Sequence, residues 1–117
     1  MLSACATVQQ KFHCGSEHWD SAKDDLGNFR TICLSERDVS FHVHFANKNN
    51  NSRFTRCSQQ GTRSGSKEIL KLKLRKGACE NGRSLNAVEY QCERLVNEMK
   101  CSAPKFDKTI EFKRRDA

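Results

Sequence analysis

A chain of 117 residues with 36% apolar and 30% charged side chains and a mean hydropathy of -0.80 can build one modest hydrophobic core, which excludes two independent domains. No stretch approaches the roughly 20 apolar residues that cross a bilayer, so no stable membrane insertion is expected. The net charge of +7 comes from residues 53–117, which hold sixteen Lys and Arg against eight Asp and Glu, and this asymmetry indicates an anionic partner.

Seven cysteines are spread over the chain without the spacing of a tetrahedral zinc site, and no motif for another cofactor is present. Such usage favours disulfides, and therefore an oxidising compartment and a secreted protein. Residues 1–11 are expected to be an N-terminal tail or the remnant of a signal peptide, with Cys5 as a free thiol. Three bridges would then use the other six cysteines, in a connectivity that the sequence leaves open: Cys14, Cys33, Cys57, Cys79, Cys92 and Cys101.

A single disulfide-rich domain is expected over residues 12–112, and its first element is predicted to be a helix. Ser16 or Asp20 is suited to cap a helix over about residues 21–32. The apolar residues of that segment recur at helical spacing: Leu26, Phe29 and Ile32.

A hairpin is predicted next. Residues 39–45 alternate strictly, with one face made of Val39, Phe41, Val43 and Phe45 and the other made of Ser40, His42 and His44. A polar loop over residues 47–52 carries the sequon at Asn50, and residues 53–58 can return as a second strand. Residues 59–66 are polar and contain glycine, so they are predicted to form a mobile loop.

The last third of the chain mixes strand and helix patterns. Residues 68–75 alternate, which places Lys71, Lys73 and Arg75 on one face of a strand. Residues 84–100 carry apolar side chains at helical spacing and allow a second helix. A closing strand over residues 109–112 precedes a basic tail, residues 113–117. The predicted fold class is α+β, with one N-terminal helix packed on a mainly antiparallel, disulfide-stapled sheet.

Two short motifs resemble a known family. Residues 12–21 read FHCGSEHWDS, with a second cysteine nineteen positions after Cys14, and residues 88–93 read VEYQCE. Both are similar to segments of fungal guanyl-preferring ribonucleases, and the opening is also typical of the catalytically degenerate ribonuclease-like effectors of plant-pathogenic fungi. The resemblance implies a Cys33–Cys92 bridge. Cys57 and Cys79 could then pair, which would leave Cys14 for Cys101.

The resemblance also implies where catalysis would reside. These ribonucleases need a carboxylate base, a histidine acid and an arginine on the phosphate. Matched to the family, Glu68 is the carboxylate and His44 the first histidine, but Asn86 stands at the arginine position and Lys100 at the acid histidine position. A lysine with an ordinary pKa near 10.4 donates protons poorly at neutral pH, so RNA cleavage is expected to be lost or very weak.

The candidate binding residues are predicted to contact an anion or RNA: His42, Lys71, Lys73, Arg75 and Lys100. Each has a plain alternative, because a strand face of histidines or lysines is usually solvated, and no third metal ligand accompanies His42 and His44. Three aromatic side chains are candidates for stacking on bases: Trp19, Phe54 and Tyr90.

Three hypotheses of function follow. The first is a monomeric secreted effector, of the virulence or avirulence type, that binds a host protein or RNA without catalysis and is translocated into host cells. The second is an active guanyl-type ribonuclease that uses His44 and Glu68. The third is a killer-toxin-like protein that acts on membranes, which would be favoured by a helix over residues 84–100.

Overall fold

The computed structural model describes residue 14 and residues 17–47, 50–104 and 108–115, and over these residues the chain is built from strands and turns. The described residues contain no helix, and therefore none long and apolar enough to cross a membrane. The strands are β1 (Glu17–Ser21), β2 (Phe29–Leu34), β3 (Asp38–Asn47), β4 (Asn50–Gly65), β5 (Ile69–Leu74), β6 (Gly77–Cys79), β7 (Ser84–Leu85), β8 (Val88–Arg94), β9 (Glu98–Ser102) and β10 (Thr109–Arg114).

Eight of these strands close into an antiparallel barrel. Their order around the sheet is β3-β2-β1-β10-β9-β8-β5-β4, and β3 pairs with β4 to complete the circle. The two strands left over, β6 and β7, form a small hairpin that pairs with β4 outside the circle, and we call this hairpin the arm. The fold is thus all-β, and the predicted α+β class with an N-terminal helix is wrong.

The interior of the barrel is filled by side chains, as expected for eight strands. Inward-facing residues alternate with outward-facing ones on every long strand, as on β5, where Leu70, Leu72 and Leu74 are buried and the residues between them are exposed. The largest interior side chains are nearly all inaccessible to solvent: Trp19, Ile32, Phe41, Leu70, Leu72, Leu74, Tyr90, Met99 and Phe112. Burial of this set supplies the main stabilisation of a small domain.

The helix predicted over residues 21–32 is replaced by the last residue of β1, the turn between β1 and β2, and the first four residues of β2. The side chain of Asp24 accepts hydrogen bonds from the backbone N–H groups of Leu26 and Asn28, and Gly27 adopts a positive φ of 85°. A side chain that binds the backbone in this way competes with helix formation. Leu26 is 77% exposed, so the apolar spacing that indicated a helix face does not correspond to a buried face.

The helix allowed over residues 84–100 is also wrong, because this segment holds β7, β8 and β9. Tyr90 and Cys92 point inward from β8, and Met99 points inward from β9. Leu95 and Val96 lie in the turn between these strands and are 53% and 84% exposed. Two strands and a tight turn thus reproduce the helical spacing by coincidence.

The alternation predicted for residues 39–45 is confirmed by β3, and the alternation of residues 68–75 is confirmed by β5. The loop predicted over residues 59–66 is instead the second half of β4, which pairs with β5 from Gly61 to Gly65. Gly61 permits this pairing, because a Cβ atom at that position would overlap the carbonyl oxygen of Lys73.

All six cysteines assigned to bridges are bridged, as is typical of extracellular proteins. The Cys57–Cys79 pair is confirmed, whereas Cys33–Cys92 and Cys14–Cys101 are wrong. The bridges present are Cys14–Cys33 and Cys92–Cys101. The physical reason is alternation: Cys33 points away from the barrel on β2, and Cys92 lies inside it on β8. Cys5 and the whole predicted tail, residues 1–11, lie outside the described residues.

The start of the predicted basic tail is part of the barrel, since β10 continues to Arg114 and pairs with β1. The Arg114 guanidinium lies 5.8 Å from the centre of the Trp19 ring. The backbone N–H of Arg115 donates to the carbonyl of His18. Residues 113–115 are therefore held by the fold rather than extending from it.

Candidate functional site

Because large side chains fill the interior, the candidate sites lie on the outer surface of the barrel. Two groups of residues stand out there. The first, the histidine cluster, consists of His18, Asp20, Thr31, His42, His44 and Arg56 on strands β1 to β4. The second, the basic stripe, consists of Lys71, Lys73 and Arg75 on and just after β5.

Strand register brings the histidine cluster together. Asp20, Thr31 and His42 are direct cross-strand partners on β1, β2 and β3. His44 is the partner of Arg56 on β4. These side chains point away from the core, yet His44 is only 1% exposed and His42 only 7%. Burial on the outer surface of a sheet is unusual for polar residues and requires that they be hydrogen-bonded.

A continuous chain of hydrogen bonds runs through the cluster. The Thr31 hydroxyl donates to Oδ1 of Asp20 at 2.6 Å, so the same oxygen of Thr31 accepts from Nε2 of His44 at 2.9 Å. This leaves Nδ1 of His44 as an acceptor, and Nε of Arg56 donates to it at 3.4 Å. The network therefore assigns the proton of neutral His44 to Nε2.

Asp20 is the common acceptor of the cluster. Besides Thr31, Nε2 of His18 donates to Oδ1 at 2.9 Å, and Nη1 of Arg115 donates to Oδ2 at 3.1 Å. One carboxylate thus connects β1, β2 and the residue that follows β10. Charge-assisted bonds of this kind are among the stronger polar contacts in a protein.

His42 occupies the centre of the cluster between two hydroxyl groups. Its Nδ1 lies 2.9 Å from Oγ of Ser58 on β4, and its Nε2 lies 2.9 Å from Oγ of Ser40 on its own strand. A neutral imidazole has one donor and one acceptor nitrogen, so one serine receives a proton and the other supplies one. The ring is therefore fixed in orientation.

Burial and neighbouring charge keep both histidines neutral. The pKa of His42 is lowered to about 4, by burial first and then by the positive charge of Arg56 and by His18. The pKa of His44 is also lowered to about 4, by burial first and then by Arg56 and His42, with Asp20 acting in the opposite direction. At neutral pH the cluster can thus accept a proton but contains no protonated imidazole among these two to donate one.

The basic stripe differs from the histidine cluster in exposure and in the contacts of its side chains. Lys71, Lys73 and Arg75 are fully outward and exposed, as alternation predicts. Over the described part of the chain, none of the three forms an ion pair. The cross-strand partners of Lys71 are Ser64 and Gln91, which are polar and uncharged.

The arm extends the positive surface beyond β5. It begins directly after Arg75 and adds Lys76 and Arg83, both exposed. The Cys57–Cys79 bridge holds the arm against β4, and Glu80 exchanges two hydrogen bonds with the backbone of Arg56. The sequence patterns did not indicate Lys76 and Arg83 as binding residues, because the arm itself was not predicted.

The remaining predicted residues are dispersed. Nζ of Lys100 lies 3.8 Å from Glu111 on β10, so its charge is partly neutralised. His42 belongs to the histidine cluster and not to the basic stripe. The carbonyl of Asn86 accepts a hydrogen bond from Gln59, which gives this residue a structural contact.

The catalytic pair implied by the resemblance is separated. Glu68 lies in the turn before β5, where its carbonyl accepts from the N–H of Arg94. His44 lies opposite Arg56, near the start of β4, whereas Gly65 at the end of β4 adjoins that turn. At about 3.3 Å per residue, roughly 30 Å of strand separates the two positions. They cannot act on one phosphate.

Four members of the histidine cluster were not identified from the sequence: His18, Asp20, Thr31 and Arg56. The available signal was the alternation of His18, Trp19 and Asp20, which fits a strand with one apolar and two polar positions. That signal was interpreted as the start of a helix. The described residues contain no group of three or more His, Cys, Asp or Glu side chains arranged to hold a metal ion.

Comparison of the chain with known protein families, with characterised proteins and with solved structures returns no match. The resemblance to ribonucleases therefore stays a prediction from two short motifs. The helix and the Cys33–Cys92 bridge that it implied are both contradicted by the fold.

Proposed function

We propose that this protein is a secreted effector-type binding protein that enters host cells and holds RNA on its basic stripe without catalysing a reaction. The observation that carries the proposal is the arrangement of Lys71 and Lys73 on β5 and Arg75 just after it, which are exposed and free of ion pairs over the described residues. When lysine or arginine side chains neutralise phosphates, the counterions held by the nucleic acid are released. This release supplies most of the affinity of non-specific nucleic-acid binding.

The rest of the charge distribution supports the same surface. Lys100 on β9 points outward and lies beside Glu111 on β10. Near one end of the barrel, Arg94 and Arg114 both contact Glu17. The basic stripe and the arm form no ion pair over the described residues, although Glu80 lies in the arm and Glu89 is the exposed cross-strand partner of Lys73. Three unpaired cations close together can attract a polyanion.

The absence of catalysis is proposed on geometric grounds. Glu68 lies in the turn after β4, far from Arg56, the β4 residue opposite His44, and His42 and His44 are both neutral at pH 7, chiefly because of burial. An RNA-cleaving site needs an acid and a base within reach of the same phosphodiester. A neutral imidazole pair supplies only the base.

The experiment is fluorescence anisotropy with a labelled RNA at several salt concentrations. The variant Lys71→Gln/Lys73→Gln/Arg75→Gln should bind at least tenfold more weakly and with a salt slope smaller by about 2, since each lost phosphate contact removes about 0.7 for a single strand or 0.9 for a duplex. The matched control, Arg37→Gln/Lys67→Gln/Lys113→Gln, removes three exposed cations from other parts of the surface and should retain most of the affinity. Equal loss in both variants would reject the basic stripe as the binding site.

A second candidate function is RNA cleavage at acid pH, and the histidine cluster favours it. His42, His44 and Arg56 share one face of the barrel, and at a pH close to 4 one imidazole can be protonated while the other is neutral. Because His42 is 7% exposed and His44 1% exposed in the folded protein, this function requires that acid open the cluster to the phosphodiester. Incubation of RNA with the protein from about pH 4 to pH 8 separates the candidates. Cleavage that peaks at acid pH and disappears in His44→Gln would replace the binding function with the enzymatic one.

A further inference from the structure

The aromatic side chains that were candidates for stacking on RNA bases are not available to the basic stripe. Trp19 is 0% exposed and Tyr90 is 8% exposed, and both lie inside the barrel. Phe54 is half-buried and packs edge-on against Phe29. Among the described residues, the only large aromatic ring that is more than a third exposed is Phe45, which lies on β3 and not on β5.

Proteins that bind single-stranded RNA without sequence preference use such rings as platforms for the bases, and each stacked base contributes about 1–3 kcal/mol. A surface without them can contact only phosphates and sugars. Double-stranded RNA is recognised in that manner, because its bases are paired and its backbone and 2′-hydroxyl groups are exposed across a wide minor groove.

The surroundings of the basic stripe fit contacts with a backbone. Alternate residues on a strand are about 6.8 Å apart, so Lys71 and Lys73 on β5 and Arg75, which follows the strand and whose N–H donates to the carbonyl of Gln60, are spaced over about 14 Å. Three of the four direct cross-strand partners of the two lysines are uncharged and polar, Ser64 and Thr62 on β4 and Gln91 on β8, and the fourth is Glu89 opposite Lys73. Hydroxyl and amide groups of this kind are common partners of phosphate and sugar oxygens.

We infer that the ligand of the basic stripe is the sugar–phosphate backbone of double-stranded RNA. This inference rests on the proposed function and specifies its substrate class. The stripe provides the charge, the polar residues of β4 and β8 contact sugar and phosphate, and no base is read. Binding should therefore depend on duplex form and hardly on sequence.

The test compares a 20-base-pair RNA duplex with each of its two separated strands, chosen without self-complementarity, by anisotropy at one salt concentration. The duplex should bind at least fivefold more tightly than either strand, and a second duplex of scrambled sequence should bind within about twofold of the first. The variant Lys71→Gln/Lys73→Gln/Arg75→Gln should lose most of the duplex affinity, whereas Arg37→Gln/Lys67→Gln/Lys113→Gln should retain it.

The outcomes separate this inference from the function on which it rests. Binding that depends on the stripe but is equal or tighter for the single strands would overturn the inference and leave the proposed function intact. Binding of neither form, or binding that is indifferent to the stripe, would overturn both. Tighter binding of a sulfated polysaccharide than of either RNA would also overturn the inference, in favour of an extracellular glycan. A folding check by circular dichroism on each variant confirms that lost binding reflects the surface.

Discussion

Polar residues on the outer surface of the barrel lie in two opposite environments. On β1 to β4, the histidine cluster is buried, and its polar side chains are joined by short hydrogen bonds. On β5, the basic stripe is exposed and makes no ion pair over the described residues. Both arise from the same alternation, which sends every second side chain outward. Whether an outward side chain is buried or exposed depends on the residues beside it on the adjacent strands.

This contrast distinguishes groups that hold the fold from groups that are available to a partner. A buried polar network costs free energy when any member loses its partner, so it contributes to stability and to a unique register. Exposed lysines contribute little to stability, because water already solvates them. We therefore expect changes in the histidine cluster to affect unfolding, and changes in the basic stripe to affect binding.

The largest expected effect is that of acid on the histidine cluster. The folded pKa of His42 and His44, about 4, lies below the unfolded value of 6.5, so the unfolded chain binds protons more tightly. The contribution of the two histidines to the free energy of unfolding is fully present above about pH 6.5. It is lost as the pH falls to about 4, and below that pH the histidines cause no further loss of stability. Each histidine accounts for at most about 3 kcal/mol. Urea unfolding between about pH 7 and pH 4 measures the loss.

Carboxylates also titrate in this range, so a non-titrating variant serves as the control. His42→Gln/His44→Gln should be less stable at pH 7 and should lose less stability on acidification than the unmodified protein. If the two proteins show the same pH dependence, the histidine cluster does not govern acid stability.

Removal of the common acceptor should have the next largest effect. Asp20→Ala leaves Thr31, His18 and Arg115 without their shared carboxylate, and we expect the free energy of unfolding to fall by about 3 kcal/mol. The matched control is Glu111→Ala, which removes a carboxylate whose side chain is 73% exposed and should cost less than about 0.5 kcal/mol. Thermal melts of both variants at pH 7 provide the comparison. Similar losses in the two would mean that burial of the cluster has no energetic consequence.

The smallest expected effect on stability belongs to the basic stripe. Lys71→Gln/Lys73→Gln/Arg75→Gln should change the free energy of unfolding by less than about 0.5 kcal/mol, because the three side chains lie in solvent. Urea unfolding at pH 7 measures it. A loss above about 1 kcal/mol would show that these side chains support the barrel, and the contrast between the two regions would then disappear.

Local alternation predicted the parts of the fold in which each strand has one apolar face. Val39, Phe41 and Val43 on β3 are clear examples, as are Leu70, Leu72 and Leu74 on β5. The segment from Leu85 to Met99 could not be decided in this way, since residues spaced three and four apart fit a helix as well as two strands joined by a turn. Asp24 and Gly27 mark a turn, but their effect depends on backbone hydrogen bonds that the spacing of apolar residues does not reveal.

The candidate sites differed in how far the sequence could predict them. Lys71 and Lys73 lie on β5, and Arg75 directly follows it, so the common face of the two lysines followed from alternation alone. The histidine cluster joins residues from position 18 to position 56, and only the register of four separate strands brings them together. The same holds for Cys33 and Cys92, whose opposite orientations depend on which face of each strand meets the core.

A processing protease needs several residues of its substrate in an extended form that is not paired with other strands. The basic run Lys113 to Arg115 looks like a recognition site for such an enzyme in the sequence, but here the N–H of Arg114 donates to Asn97 and that of Arg115 donates to His18. Cleavage at this run thus requires that β10 first separate from its neighbours. The rate at which a trypsin-like enzyme cuts there would report how often the barrel opens at its seam.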